Sequence, residues 1–260
     1  MAENSSISWT QHTHNPWIGC QKVGPGCDSC YAEAWDARFE SGAHWGPGAP
    51  RRQTSRSNRN KPLRWQRDAA ASGKRCRVFC ASLADVFDNA VDPQWRKDLA
   101  QTIRDTPMLD WMLLTKRIGN VSHMVDDDFG GSLPDNVWLG ASIVTQIEAD
   151  RDISKLLAVP ASVHWLSMEP LIEAVTVAPA EMAALDMIVV GGESGGNARH
   201  FDLEWARDLL RQARAGDTAY HFKQMSQHDH PRDYDDQNAF PDDLKIREFP
   251  KGTYEALTAG

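Results

Sequence analysis

The stretch Cys20-Gln-Lys-Val-Gly-Pro-Gly-Cys27-Asp-Ser-Cys30 follows the first apolar run of the chain, Ile7–Thr10, which we predict to be a strand. In a doubly wound sheet that binds a dinucleotide, a glycine-rich phosphate loop stands at this position. Three cysteines take its place here, and a helical stretch begins directly after them. We therefore favour a full or partial (β/α) TIM-like barrel, an α/β fold whose first strand leads into a cysteine loop.

Short apolar runs alternate with amphipathic stretches along the rest of the chain. Such runs predict buried strands, and their alternation with helices is typical of parallel βα units. The predicted strands are Ile7–Thr10, Arg77–Ser82, Trp111–Thr115, Val137–Ser142, Val163–Met168, Met187–Val190 and Tyr220–Lys223. The predicted helices are Tyr31–Glu40, Pro93–Arg104, Gln146–Ala158 and Glu204–Ala215, the second with Asp92 as its N-cap.

The three cysteines have the spacing and the setting of metal ligands. Glycines and a proline between Cys20 and Cys27 allow the backbone to fold back, so that separated thiolates converge on one centre. Three soft ligands suit zinc or an iron–sulfur cluster, and an odd number leaves one coordination position open. Asp28 or Ser29 is expected to cap the following helix, whose N-terminus favours a thiolate at Cys30.

The other two cysteines are predicted to be core residues. Cys76 and Cys80 lie four residues apart on one predicted strand, too far along its axis to share an ion. The N-terminus lacks the basic start and apolar stretch of a signal peptide, and no apolar run reaches membrane-spanning length. We expect a cytoplasmic protein without membrane contact, in which reducing conditions keep thiols available for metal binding or packing.

Composition predicts one main domain with two charged segments. The 260 residues are 41% hydrophobic and 25% charged, and a net charge of −8 argues against general attraction to nucleic acid. We predict a single barrel-like domain at 1–228, a basic insertion at about 42–75 and an irregular acidic segment at 229–260. The insertion either offers phosphates a local patch or forms a solvated loop. Its cations are Arg51, Arg52, Arg56, Arg59, Lys61, Arg64 and Arg67.

Polar residues follow the predicted strands at their C-terminal ends, where the active sites of (β/α) barrels form. Glu169 and Glu193 come directly after apolar runs, and a carboxylate there is costly unless it is paired or bound to a ligand. Ser82, Asp85, Ser142 and Gln224 follow other strands, and the available cations are Lys116, Arg117, Arg199 and Lys223.

Several sequence blocks, in order over most of the chain, resemble an uncharacterised phage-associated family of three-cysteine proteins. That family is in turn similar to radical S-adenosylmethionine (SAM) enzymes, which hold a [4Fe–4S] cluster by three cysteines after the first strand of a (β/α) barrel. The matching blocks are Ile7-Ser-Trp9-Thr10, Asn15-Pro16-Trp17, Gly19-Cys20, Pro25-Gly26-Cys27-Asp28-Ser29-Cys30-Tyr31-Ala32-Glu33, Ser82-Leu-Ala-Asp85-Val-Phe87, Leu114-Thr115-Lys116-Arg117, Val137-Trp138-Leu-Gly140, Ser167-Met-Glu169-Pro170-Leu171, Gly191-Gly192-Glu193-Ser194-Gly195 and Phe222-Lys223-Gln224.

The resemblance implies a radical SAM-like enzyme. Cys20, Cys27 and Cys30 would each bind one iron, and the fourth iron would take the amino and carboxylate groups of SAM. One electron would then cleave SAM into methionine and a 5′-deoxyadenosyl radical. The resemblance implies cofactor binding by Tyr31, Ser82, Asp85, Lys116, Arg117, Ser142 and Glu169, and catalysis by Glu169, Glu193, Arg199, Lys223 and Gln224.

Two departures from the common radical SAM pattern stand out. The cysteines are separated by six and two residues rather than three and two, and Gly191-Gly192-Glu193 follows a late strand rather than an early one. Expected partners are an electron donor and a small-molecule or nucleic-acid substrate, preferably a nucleobase, nucleotide or nucleic acid that is modified or repaired. The need for a companion protein stays open.

Two other functions stay open on the sequence. One is a non-catalytic module for nucleic acid or protein binding, in which Zn²⁺ is held by the three cysteines with His12 or His14. The other is a hydrolase that uses Glu169 and Glu193 as its acid and base.

Overall fold

The computed structural model describes residues 3–251, along which strands and helices alternate. Among the helices of this range, none is long and apolar enough to cross a membrane. The strands are β1 (His12–Thr13), β2 (Trp17–Ile18), β3 (Arg52–Gln53), β4 (Cys76–Cys80), β5 (Leu109–Thr115), β6 (Val137–Ser142), β7 (Val163–Met168), β8 (Met187–Gly191) and β9 (Ala219–Gln224). The helices are α1 (Tyr31–Phe39), α2 (Arg56–Arg59), α3 (Lys61–Ser72), α4 (Pro93–Arg104), α5 (Val121–Asp128), α6 (Gln146–Leu157), α7 (Pro179–Ala184) and α8 (Leu203–Gly216).

Seven strands form one sheet in the order β1-β4-β5-β6-β7-β8-β9, and β2 pairs with β3 in a separate antiparallel ribbon. The pairs β1–β4, β4–β5, β7–β8 and β8–β9 are parallel. The strand order follows the chain without the reversal that marks a doubly wound sheet. The predicted α/β class with a parallel sheet is therefore confirmed, and closure into a TIM-like barrel stays a prediction.

The chain divides into two compact units. Unit 1 comprises Met1–Val23, Cys30–Leu139 and Val159–Ser162, and unit 2 comprises Gly24–Ser29, Gly140–Ala158 and Val163–Gly260. The single domain predicted at 1–228 stays a prediction.

Each unit has an aromatic core. In unit 1, Trp9 packs edge-on against Phe79, with ring centroids 4.7 Å apart. In unit 2, the indole of Trp165 lies against Gly140 of β6, where an added Cβ would stand 2.3 Å from a ring carbon. Only glycine leaves room for this buried tryptophan, because interiors are packed without such overlaps.

Six of the seven predicted strands coincide with strands of the sheet, whereas the first is wrong. Ile7–Thr10 forms a turn, in which the backbone N–H of Thr10 donates to the Ile7 carbonyl at 3.2 Å. The Thr10 hydroxyl donates to the Arg77 carbonyl at 3.0 Å, and regular pairing with β4 begins only at His12. The Arg77 carbonyl also accepts from the backbone N–H of Gln11 at 3.2 Å, so a side chain supplements the backbone pairing at this end of β1.

The predicted basic insertion is folded, so the interpretation of it as a solvated loop is wrong. Trp65 on α3 is buried, and Gly73 ends that helix in the left-handed conformation with φ 68°. Arg56 and Arg67 are exposed. Four other cations of the insertion have partners within unit 1, and these pairs are Arg51 with Asp88, Arg52 with Glu40, Arg59 with the Thr54 carbonyl and Arg64 with Glu3.

The described part of the acidic C-terminal segment contains two short 3₁₀ helices, Gln237–Ala239 and Asp242–Leu244, and is anchored to β9. The backbone N–H of Phe222 donates to the Ile246 carbonyl at 2.8 Å, and the N–H of Glu248 donates to the Tyr220 carbonyl at 3.0 Å. Residues 252–260 of the predicted segment lie outside the described residues.

Candidate functional site

Asp85 is the centre of a buried network in unit 1, on the segment that follows β4. Thr115 Oγ1 lies 2.8 and 3.0 Å from the two carboxylate oxygens. The backbone N–H groups of Phe87 and Lys116 donate to Asp85 at 2.9 and 3.0 Å, and Arg117 Nη1 donates at 3.0 Å. A buried carboxylate requires such compensation, and these donors hold Asp85 in one place.

Arg117 connects this network to the cysteine loop. Its Nη1 donates to Cys20 Sγ at 3.4 Å, and its Nη2 donates to the Gln21 carbonyl at 3.0 Å. Burial raises the pKa of Cys20 to about 11, with Asp85 adding to the rise and Arg117 opposing it. Burial alone would lower the pKa of Arg117, but Asp85, Cys20 and Asp88 outweigh it and raise that pKa, so the guanidinium stays charged.

A second buried ion pair, Arg51 with Asp88, joins the same network. Arg51 Nε donates to Asp88 Oδ2 at 2.8 Å, and both side chains are 1% exposed. Asp88 Oδ1 also lies 3.8 Å from Arg117 Nε. Sequence reasoning missed Asp88 and placed Arg51 among surface cations. The spacing of Asp88 three residues after Asp85 is the signal that points to it.

Tyr31 and Ser82, two of the predicted cofactor-binding residues, meet in unit 1. The Tyr31 hydroxyl donates to the Ser82 carbonyl at 2.7 Å. The Ser82 hydroxyl accepts from Asn15 Nδ2 at 2.8 Å, and Asn15 Oδ1 accepts from the N–H of Leu83 at 2.7 Å. Asn15, which sequence reasoning did not assign, thereby fixes the chain after β4.

Cys30 stands at the start of α1, as predicted, but the predicted cap of this helix is wrong. Cys30 itself occupies the N-cap position, and among the described residues no side chain makes a capping hydrogen bond to the first turn of α1. Asp28 and Ser29 stand too early in the chain, and Ser29 Oγ instead donates to the Asn197 carbonyl at 3.3 Å. The Cys30 side chain packs against a cluster that includes Leu83.

In unit 2, Arg199 holds the segment that carries Cys27. Arg199 donates from Nε and Nη2 to the two carboxylate oxygens of Glu193, at 2.9 and 2.8 Å. These bonds raise the pKa of Arg199. Its Nη1 donates to the Pro25 carbonyl at 3.1 Å and lies 3.7 Å from Asp28 Oδ2. Cys27 ends the short 3₁₀ helix that begins at Pro25, so this clamp positions Cys27.

Glu169 keeps one acceptor available in unit 2. Lys223 Nζ donates to Glu169 Oε2 at 3.1 Å, and the Glu169 side chain is 10% exposed. Its Oε1 is buried without a hydrogen-bond partner among the described residues. An unpaired buried carboxylate oxygen such as this one is costly and is the expected mark of a ligand position.

Two other predicted site residues also lie in unit 2. Gln224 Nε2 donates to the Gly192 carbonyl at 2.9 Å, and Ser142 is buried at the end of β6.

The two histidines considered as zinc ligands are packing residues of unit 1. The ring of His12, in β1, is stacked on Trp65 with centroids 4.3 Å apart. His14 is 1% exposed and meets the rings of Trp65 and Trp111 edge-on, at 6.1 and 5.6 Å. Neither position favours the zinc alternative.

Stability is expected to fall below pH 6.5 because of His14. Burial, with Lys61 adding to it, lowers the pKa of His14 to about 3, so the unfolded chain takes up a proton that the folded one refuses. The free energy of unfolding should therefore be about 2 kcal/mol smaller at pH 5 than above pH 7 from this residue. Urea titrations at both pH values test this in wild type and His14→Gln, with exposed His123→Gln as the control. An equal pH dependence in all three proteins would contradict it.

The donor set of the cysteine loop fits an iron–sulfur cluster by its chemistry. All three thiols are free, and Cys20 already receives a hydrogen bond from a charged guanidinium. Cysteine thiolates are the usual ligands of such clusters. Within residues 3–251, no group of three or more His, Cys, Asp or Glu side chains is arranged to hold a metal ion.

The fold has a counterpart among solved structures. A cysteine-to-serine mutant of spore photoproduct lyase matches with a TM-score of 0.52 and 13% identity, over 84% of this chain and 78% of that chain. A second mutant of that lyase, with bound AdoMet and dinucleoside spore photoproduct, matches with a TM-score of 0.48 and 12% identity, over 79% and 61%. The first likeness shows a shared fold.

One family model matches nearly the whole chain, whereas a search of curated proteins found no match. The model of one family, described as "Protein of unknown function (DUF5131)", matches residues 4–250. Because that match spans far more than half of the sequence, the chain belongs to this uncharacterised family.

Proposed function

We propose that this protein is a radical SAM-like enzyme that holds a [4Fe–4S] cluster through Cys20, Cys27 and Cys30. The observation that carries the proposal is that these three thiols are free and lie in the single segment between β2 and α1. Strands that follow one another in chain order and the fold likeness to a spore photoproduct lyase support it.

When bound, the cluster and SAM supply a 5′-deoxyadenosyl radical that abstracts an unactivated hydrogen. The residues of the chain bind and orient the reactants. Lys116 follows β5, Ser142 ends β6 and Glu169 follows β7, and we assign these three to the polar groups of SAM. Glu169 is the best supported of them, because its Oε1 is a buried acceptor that an incoming amino or hydroxyl group can satisfy. The Lys223 ammonium holds that carboxylate in place.

The proposed substrate class is a nucleobase, nucleotide or nucleic acid. The exposed cations Arg56 and Arg67 support contacts with phosphate. Gln224 and Lys223 end β9 on the same segment of unit 2, and we assign them to the substrate. Arg199 and Glu193 satisfy each other and support the Cys27 segment. An electron donor completes the reaction.

The proposal is tested by anaerobic reconstitution of the full chain with iron and sulfide. Iron, sulfide and zinc are quantified with the visible spectrum, and SAM and a reductant are then added. About four irons per chain are expected, as for a [4Fe–4S] cluster, together with release of 5′-deoxyadenosine. One tightly bound zinc without iron, or a cluster that never releases the nucleoside, would contradict the proposal.

A further inference from the structure

We infer that Arg117 is a positioning residue that hydrogen-bonds the Cys20 sulfur and sets the reduction potential of the cluster. This inference rests on the proposed function. It gives Arg117 and Asp85 a role different from the SAM contacts that the sequence resemblance implies.

The Arg117 guanidinium contacts the cysteine loop at two points. Nη1 of Arg117 points at Cys20 Sγ from 3.4 Å, while Nη2 binds the carbonyl of the next residue, Gln21, at 3.0 Å. The side chain is 8% exposed, so water competes little for these donors. One planar group thus holds both the sulfur and the backbone beside it, which a lysine could not do.

Arg117 is itself held by two buried carboxylates. Asp85 accepts from Arg117 and is itself fixed by Thr115 and two backbone N–H groups. Asp88 approaches Arg117 Nε and is fixed by Arg51. These contacts fix the orientation of the guanidinium, so its Nη1–H stays directed at the Cys20 sulfur.

Arg117 belongs to a network of two arginines and two carboxylates. Arg51 and Arg117 match the two carboxylates Asp85 and Asp88, so the network carries no net charge. A cluster bound to Cys20 would bring negative charge to the edge of this network, and reduction would add more. A hydrogen bond to a ligand sulfur and a nearby positive charge both favour the reduced cluster. Arg117 should therefore raise the potential.

The test is a potentiometric titration of the reconstituted full-length protein, followed by its visible and electron paramagnetic resonance spectra. Arg117→Gln is expected to shift the midpoint to a more negative potential. Arg117→Lys keeps the charge without the fork and should show a smaller shift in the same direction. The matched control is Arg96→Gln, because Arg96 is equally buried in unit 1 but binds Asp128 and the carbonyls of Asp88 and Val91.

The outcomes separate this inference from the proposed function. If wild type takes up no iron and sulfide, the proposed function and the inferred role of Arg117 are both contradicted. If wild type holds the cluster, two results contradict only the inferred role of Arg117. One is a wild-type midpoint potential in Arg117→Gln, and the other is an equal shift of that potential in Arg96→Gln. If Arg117→Gln does not fold, Arg117→Lys decides, and an unchanged potential in that variant overturns the inference.

Discussion

Replacing Cys20, Cys27 or Cys30 by alanine is expected to abolish cluster formation, with iron falling from about four per chain to below one. Each thiolate is proposed to bind a separate iron, so no neighbouring ligand replaces a lost one. Iron and sulfide analysis after anaerobic reconstitution measures the loss, and the release of 5′-deoxyadenosine should disappear with it.

Cys76→Ala is the matched control for these three variants. Cys76 is another free cysteine of unit 1, but it lies in β4 and burial raises the pKa of its thiol to about 11. Its replacement should leave iron, sulfide and nucleoside release at the wild-type level. Equal loss of iron in Cys76→Ala, or full iron content in any of the other three variants, would contradict the assignment. Circular dichroism of each apo-protein separates ligand loss from misfolding.

Asp88→Asn is expected to destabilise the fold strongly, by about 3–5 kcal/mol in the free energy of unfolding. The substitution keeps the shape of the side chain but leaves the charge of Arg51 buried without its carboxylate, since both side chains are 1% exposed. Urea unfolding at pH 7, followed by tryptophan fluorescence, measures the change.

An exposed ion pair provides the comparison for Asp88→Asn. Asp242 pairs with Lys245 at 2.7 Å, but the Asp242 side chain is 97% exposed. Surface pairs of this kind contribute about 0–1 kcal/mol, so Asp242→Asn should change stability little. If the two variants cost the same, the Asp88 pair does not carry the stability assigned to it.

The later strands could be predicted from sequence because each is rich in apolar residues and mostly buried. β6 and β7 have the predicted bounds, Val137–Ser142 and Val163–Met168. β1 could not be predicted, because it has only two residues and side chains supply the neighbouring bonds. Gln11 Oε1, for example, accepts from the N–H of Arg77 at 2.7 Å. Such bonds leave no periodicity in the sequence.

The candidate site was predictable in its residue types and not in its partners. The cysteines and the polar residues after the strands stand out in the sequence. The contact between Arg117 and Cys20 joins positions 97 residues apart, and that between Arg51 and Asp88 joins positions 37 apart. No local pattern encodes such pairings. Arg51 looked like one more surface cation because its neighbours in the chain are exposed arginines.

The bond from Arg199 to the Pro25 carbonyl spans 174 positions of the chain. A ribosome adds on the order of 5–20 residues per second, so Pro25 is made roughly 9 to 35 seconds before Arg199. Until then the Cys27 segment lacks the contacts with Arg199 that position it. We therefore expect the proposed cluster to assemble late, after synthesis of the C-terminal part of the chain.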